Sequence, residues 1–373
     1  MRYIQMLIDC WQYVMAIGAS YLLLAGVQRL ENPARGKTAA YGAALLPLML
    51  LTAFRYGIGT DYLAKQGAFA INGDEYYELL YHILEIMISK LGGDYRTAVG
   101  ILTMIFFACV LLSMLQTEDK PLAFWIFVFS QTYFFSLNCD RQAIAVAIIA
   151  LAFVKYDQLF TPKGLLRFAV LLLLAVGFHK STLIFVLLYG FLWLLTKAPG
   201  LMKGIITLPI WGSLVFYLAR KPLYGLAAKL FAGTSYAKFF DQTSQEYFVF
   251  FTYSVREIIL NLFLYGLILA LVWRKPVKEY VQKERILITL QCIITFLEIC
   301  SPYLTGSHRM LRLFTYFQMF LVPWLLKKLA EKWKVPYWPL TAGVMAFFAY
   351  VAVWNCYFCG WEGVVPYQSI WSV

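Results

Sequence analysis

The sequence predicts an all-α polytopic membrane protein, and three observations carry that reading. Hydrophobic residues make up 61% of the 373-residue chain and charged residues 14%, against roughly half and a quarter in a soluble domain. Apolar stretches near the length one crossing needs, about 20 residues, recur from end to end. Basic residues gather in short loops between those stretches. A soluble chain of this composition would expose apolar patches and aggregate; in a bilayer, lipid is the solvent for that surface.

The apolar runs cover residues 7–27, 39–54, 95–115, 121–137, 141–155, 165–179, 181–196, 204–219, 249–273, 286–304, 309–326 and 337–355. They predict about twelve crossings within one integral membrane domain, residues 1–373, the shortest runs borrowing flanking residues. The first run lacks a small-residue cleavage site and leads straight into the second, so it is expected to stay as a span rather than be removed. Loops after odd-numbered runs hold the majority of the Lys and Arg residues. Positive charge marks the cytoplasmic side, which puts both termini outside. The net charge of +12 is thereby orientation charge and attraction to anionic lipid. No basic stripe of the kind a nucleic-acid binder needs is present. The 26 Tyr and 11 Trp fit interfacial belts first and sugar stacking second.

Two outer segments read as folded. Within the outer loop 55–94, residues 75–91 repeat apolar side chains at 79, 80, 83, 84, 87, 88 and 91, with Glu75, Glu78, His82, Glu85 and Lys90 on the other face. That is an amphipathic helix lying in the outer interface. The outer loop 220–248 is long, mixed and aromatic, as a lid or substrate platform is. Cys109 and Cys292 lie inside apolar runs as inert packing. Cys356 and Cys359 form a lone C-x-x-C that argues against zinc and leaves an outward-facing disulfide open.

Four polar constellations interrupt the apolar pattern, all on the expected outer side. Arg55-Tyr56-Gly57-Ile58-Gly59-Thr60-Asp61-Tyr62 brackets a glycine turn with a cation and a carboxylate; a capped turn is the plain alternative. It has neither the G-K-[ST] nor the preceding strand of a phosphate loop. Asn138-Cys139-Asp140-Arg141-Gln142 places an arginine at a run edge, where it needs a partner, and Asp140 is the nearest candidate. Phe178-His179-Lys180-Ser181 presses a His and a Lys between two runs with almost no loop, so both must face protein or water. In Ser307-His308-Arg309-Met310-Leu311-Arg312, Arg309 and Arg312 are three apart and share a helix face, from which two guanidiniums could grip one diphosphate. His82, His179 and His308 lack metal-ligand spacing, so neither a metal nor a cofactor is expected.

Fixed cations suit a pyrophosphate as it leaves, and a carboxylate or imidazole suits deprotonation of an attacking hydroxyl. The expected site is therefore catalytic through Asp61, His179 and Arg141, and substrate-binding through Arg55, Gln142, Lys180, Arg309 and Arg312. A flippase for lipid-linked oligosaccharide, or a membrane acyltransferase, would use some of the same parts. At these motifs the chain resembles the EpsG family of membrane polysaccharide polymerases, related in role to Wzy-type polymerases. The pieces are RYGIGTDY at 55–62, N-x-x-R-Q-x-x-A from Asn138 to Ala145, FHKS at 178–181, Arg309 and VVPYQS at 364–369. The resemblance implies a GT-C-like glycosyltransferase of the bacterial plasma membrane. It would join undecaprenyl-diphosphate-linked oligosaccharide repeat units into exopolysaccharide, capsule or O-antigen, with other polysaccharide-assembly proteins as partners. Two positions depart from the family pattern: Lys65 stands where an aromatic is expected, and Asp140 beside Arg141 is atypical.

Overall fold

A computed structural model of the chain describes residues 2–30, 36–71, 78–230, 232–233, 254–273, 275–276, 279–303 and 307–371. The described residues form helices and turns, with one isolated β-bridge. The helices are α1 Arg2–Arg29, α2 Lys37–Ala53, α3 Tyr62–Ala70, α4 Leu79–Lys90, α5 Tyr95–Met114, α6 Lys120–Phe129, α7 Thr132–Asn138 and α8 Asp140–Phe153. There follow α9 Pro162–Phe178, α10 Ile184–Lys197, α11 Met202–Leu230, α12 Val255–Val272, α13 Gln282–Cys300, α14 Ser307–Thr315, α15 Gln318–Trp333 and α16 Tyr337–Val353. Their starts are written in sequence: Asp94, Asp119, Thr161 and Ser254 each accept a backbone N–H of the helix they open, satisfying donors that have no partner within the helix.

Among the described residues, seven helical segments are long and apolar enough to cross a bilayer: Ile8–Arg29, Tyr95–Met114, Lys180–Lys197, Pro199–Leu230, Val255–Val272, Gln282–Tyr303 and Tyr337–Phe358. Lys37–Ala53 and Lys120–Phe129 are shorter apolar helices. The exterior carries Leu22, Leu173, Leu187 and Leu218, each at least 70% exposed. The interior buries Asn261, Thr289, Gln291, Thr295, Glu298 and Gln318. That inversion of the soluble pattern is what a lipid solvent produces. Between helices in lipid, close packing and internal hydrogen bonds replace the hydrophobic effect. Accordingly, Asn261 Oδ1 accepts from Gln291 Nε2 at 3.0 Å and Gln318 Nε2 at 2.8 Å, while Asn261 Nδ2 donates to Glu298 at 3.2 Å.

Several runs take a form the sequence did not predict. The run 121–137 divides into α6 and α7 at Gln131, whose φ of 65° no helix continues through. The run 309–326 divides into α14 and α15 around Tyr316-Phe317. Residues 220–230 of the expected outer loop continue α11 as helix; residues 231 and 234–248 lie outside the described residues, as do 249–253 of the ninth run. Cys109 and Cys292 are buried, as expected. Cys356 and Cys359 are both free, the first buried and the second exposed, so this structure holds no disulfide between them.

Loops sort to two ends of the bundle. At one end the Gln28 side chain accepts the Lys120 backbone N–H at 2.8 Å, Glu118 pairs with Lys327, Tyr337 donates to Asp119 at 3.1 Å, and Gln282 donates to the Tyr156 carbonyl. These are the Lys- and Arg-rich loops that follow odd-numbered runs. At the other end Tyr357 donates to Asp9 at 3.0 Å, and the four polar constellations gather there with both ends of the chain.

Candidate functional site

The floor of the site is made by segments some 300 residues apart in sequence. Arg55 and Ser369 form the isolated antiparallel bridge. Around it, Tyr56 N donates to Gln368 O at 3.0 Å, Gly59 N to Gly363 O at 3.1 Å, and Ile370 N to Phe54 O at 3.0 Å. Tyr13 OH to Val364 O (2.8 Å) and Tyr367 OH to Leu51 O (2.7 Å) tie the tail to α1 and α2. Gly59 sits at φ 94°, and a Cβ there would lie 2.8 Å from the Leu137 carbonyl oxygen. Both the left-handed backbone and the close approach demand glycine.

Asn138, at the end of α7, locks this floor to the centre of the bundle. Its Oδ1 accepts the Asp61 backbone N–H at 2.9 Å and the Thr60 hydroxyl at 3.1 Å, and its Nδ2 donates to Glu362 at 2.7 Å. Asp61 thereby stands at the start of α3, half-buried, with its carboxylate beside the Thr60 hydroxyl at 3.5 Å. Burial raises the Glu362 carboxyl above its ordinary range; Asn138, Arg312 and Arg309 oppose that rise, and the Asp61 charge adds to it. Asp61, Arg309 and Glu362 therefore share one electrostatic neighbourhood.

Lys65 and Asp140, the two residues that stood out of the expected pattern, meet each other. Lys65 Nζ donates to Asp140 Oδ1 at 2.6 Å and to the Asn138 carbonyl at 2.7 Å, with both side chains under 10% exposed. Asp140 also accepts the Arg141 backbone N–H at 2.8 Å, where an acid suits the N-terminal dipole of α8. Asp140 is thus the partner of Lys65, and the Arg141 guanidinium turns elsewhere.

It turns to Glu78, which sequence reasoning placed on a helix face but not in the site. Glu78 Oε2 accepts Arg141 Nη1 at 2.7 Å; Oε1 binds His179 Nδ1 at 2.9 Å and accepts the Lys180 backbone N–H at 3.2 Å. Burial disfavours the Glu78 charge, but the hydrogen bond and charge of His179, then Arg141, outweigh it and hold the carboxyl down at about 2. Glu78 opens α4, and α4 is turned the opposite way from an interfacial helix with a wet polar face. Glu78, Tyr81, Glu85 and Ile88 are buried against the protein, while Leu79, Ile83, Met87 and Leu91 are exposed. The period was legible; the side facing protein was not. Residues 75–77 of this expected helix lie outside the described residues.

The remaining expected residues divide by exposure. Gln142 is buried and donates to the Arg309 carbonyl at 2.7 Å, while the Arg309 side chain is exposed, as is that of Lys180. Arg55 is buried, with Nη1 donating to Thr52 O at 2.9 Å. Arg312 points inward: it is 4% exposed and pairs with Glu257 at 2.8 Å, with Gln131 Oε1 and Ser130 O as further acceptors for its Nη groups. The expectation that Arg309 and Arg312 together grip one diphosphate does not match this geometry. One turn of α14 carries Arg309 to the surface and Arg312 into a buried ion pair. The break at Gln131 lets the Gln131 side chain meet Glu257 and Arg312 there.

The match to known families spans nearly the whole of this architecture, residues 39–369. The chain belongs to the EpsG family. Its first and last family motifs, around Arg55 and Ser369, are the pair that hydrogen-bond across the floor. No curated protein and no solved structure matches the chain. As an EpsG-family membrane protein, the chain is associated with polysaccharide synthesis, and the site's chemistry must be read from its own residues.

Proposed function

We propose that this EpsG-family chain polymerises undecaprenyl-diphosphate-linked oligosaccharide repeat units at the outer face of the bacterial plasma membrane. It acts as a GT-C-like glycosyltransferase with both termini outside. One observation supports this most: Asp61, Arg141, His179 and Arg309, scattered through 250 residues of sequence, gather at the bundle end opposite the Lys- and Arg-rich loops. In the reaction, a hydroxyl of the acceptor repeat unit attacks the anomeric carbon of the donor. The bond from that carbon to the diphosphate breaks, and the lipid diphosphate leaves with the electron pair. The exposed cations Arg309 and Lys180 bind the diphosphate, with Arg141 behind them, and balance the charge that develops on it. Asp61 and His179 supply the base and the group that orients the acceptor hydroxyl.

A flippase would need polar groups along an open path through the bundle. The interior polar groups Asn261, Gln291, Thr295 and Gln318 instead hydrogen-bond one another, which favours the enzyme. The test is a gel of surface polysaccharide from a deletion strain. Single lipid-linked repeat units replacing a ladder, with the ladder restored by the wild-type gene but not by Arg141→Ala or Arg309→Ala proteins of equal abundance, support the reading. Accumulation of unflipped units on the cytoplasmic leaflet overturns it.

A further inference from the structure

We infer that Glu78 is a positioning residue that holds His179 with its Nε2 bare, making His179 rather than Asp61 the general base. This rests on the polymerase reading above. Hydrogen-bond inventory gives the assignment. Glu78 faces the permanently charged Arg141 guanidinium through Oε2 and the Lys180 N–H through Oε1. A carboxylate so occupied is ionised and has no proton to donate. The proton in the Glu78–His179 contact therefore sits on His179 Nδ1. In the neutral ring, Nε2 is then the lone-pair nitrogen, the only ring position able to accept a proton.

The surrounding backbone holds the ring in that pose. His179 caps α9 in an extended conformation, its N–H bonded to Ala175 O at 2.8 Å. Its carbonyl accepts both the Thr182 N–H at 3.2 Å and the Thr182 hydroxyl at 2.7 Å. The side chain remains 26% exposed, so a substrate can reach it. Among the described residues, the Asp61 carboxylate meets the Thr60 hydroxyl at 3.5 Å and no residue comparable to Glu78; its role in this reading is to orient the acceptor sugar.

The step balances. As the acceptor oxygen bonds the anomeric carbon, its proton passes to His179 Nε2. The carbon–oxygen bond to the diphosphate breaks, and the electron pair stays on the diphosphate. The imidazolium formed is faced by the Glu78 carboxylate until the proton leaves to water or to the released diphosphate. Arg141 keeps Glu78 ionised and in place, so one carboxylate couples the base to the cation cluster.

The experiment uses the full chain in nanodiscs, with ¹⁵N-labelled histidine and a synthetic lipid-diphosphate repeat unit. The His179 ring signals are identified by their loss in His179→Gln. The expected wild-type spectrum shows a protonated Nδ1 and a bare Nε2 in the neutral ring. Glu78→Gln gives mixed tautomers and lowers kcat on the order of 100-fold with KM near wild type, and Glu78→Asp recovers part of that loss. A wild-type ring protonated on Nε2, or full kcat in Glu78→Gln, overturns the inference. The wild-type spectrum reads the tautomer even where a variant fails to fold. A bare Nε2 in a protein that makes no polymer would uphold the Glu78–His179 geometry and sink the polymerase reading alone.

Discussion

Replacing Lys65 with Met would leave Asp140 without its cation in a site where it is 5% exposed. At 2.6 Å, and with an effective dielectric near 20, the Lys65–Asp140 attraction is about 6 kcal/mol. Desolvation of each ion takes back several kcal/mol, so the intact pair is close to neutral in net terms. Removing one partner is not neutral, because the desolvation of the other remains; the usual cost is about 3–5 kcal/mol. Asp140 keeps the Arg141 N–H and the α8 dipole, which points to the lower end, about 3 kcal/mol. Asp140→Asn strands Lys65 in the same way, although the Asn138 carbonyl still accepts from it. The double variant Lys65→Met/Asp140→Asn removes both charges and retains an acceptor for the Arg141 N–H. Its predicted stability lies within about 1–2 kcal/mol of wild type, so with single losses of about 3 kcal/mol each the coupling energy is about 4–5 kcal/mol. Thermal unfolding in nanodiscs, followed by intrinsic tryptophan fluorescence, measures all four proteins. Additive losses, with the double variant the least stable, would refute the pairing.

Three further outcomes follow from the geometry. Arg309→Gln should fold normally and lose polymer synthesis, whereas Arg312→Gln leaves Glu257 and Glu298 together without their guanidinium and should reduce folded yield; equal abundance and equal activity loss in the two variants would contradict this, by immunoblot and polymer gel. Burial, opposed by the Tyr81 hydroxyl and aided by Asp140, pushes the Glu85 carboxyl up to about 7. The folded protein thus holds a proton the unfolded chain releases near its ordinary 4.5, and stability should fall as pH rises from 4.5 to 7. Glu85→Gln should flatten that fall, read as Tm against pH. Gly59→Ala forces a left-handed alanine against the Leu137 carbonyl and should cost about 1–3 kcal/mol; an unchanged Tm would rule out that strain.

The membrane character, many of the apolar helices and the gathering of the polar constellations at one end were legible in the sequence, because each depends on a local feature: apolar run length, loop charge, or a polar residue where lipid cannot satisfy it. What stayed hidden depends on which way a helix turns. The residues from 121 to 137 read as one apolar run, and nothing local reveals that Gln131 breaks it to reach Arg312. The polar stripe of α4 had the right period, yet its inward rotation is set by contacts with Arg141 and His179, far away in the chain. The acidic Glu78 and Glu85 on one stripe of a helix whose other side is apolar were the signal in the sequence that could have pointed to Glu78. Arg309 and Arg312 share a helical face by spacing, but Glu257 captures only one of them. Lys65 and Asp140 each looked out of pattern alone, and only their contact explains why both are tolerated.

The most direct test of the central claim uses the purified protein in nanodiscs with a lipid-diphosphate-linked repeat unit as its sole substrate. A ladder of products with release of lipid diphosphate, abolished in His179→Gln and Arg309→Gln proteins that unfold at the wild-type temperature, is the predicted result. A wild-type protein that yields no glycosidic product, or a His179→Gln protein that yields the full ladder, would contradict the assignment of chemistry to this pocket.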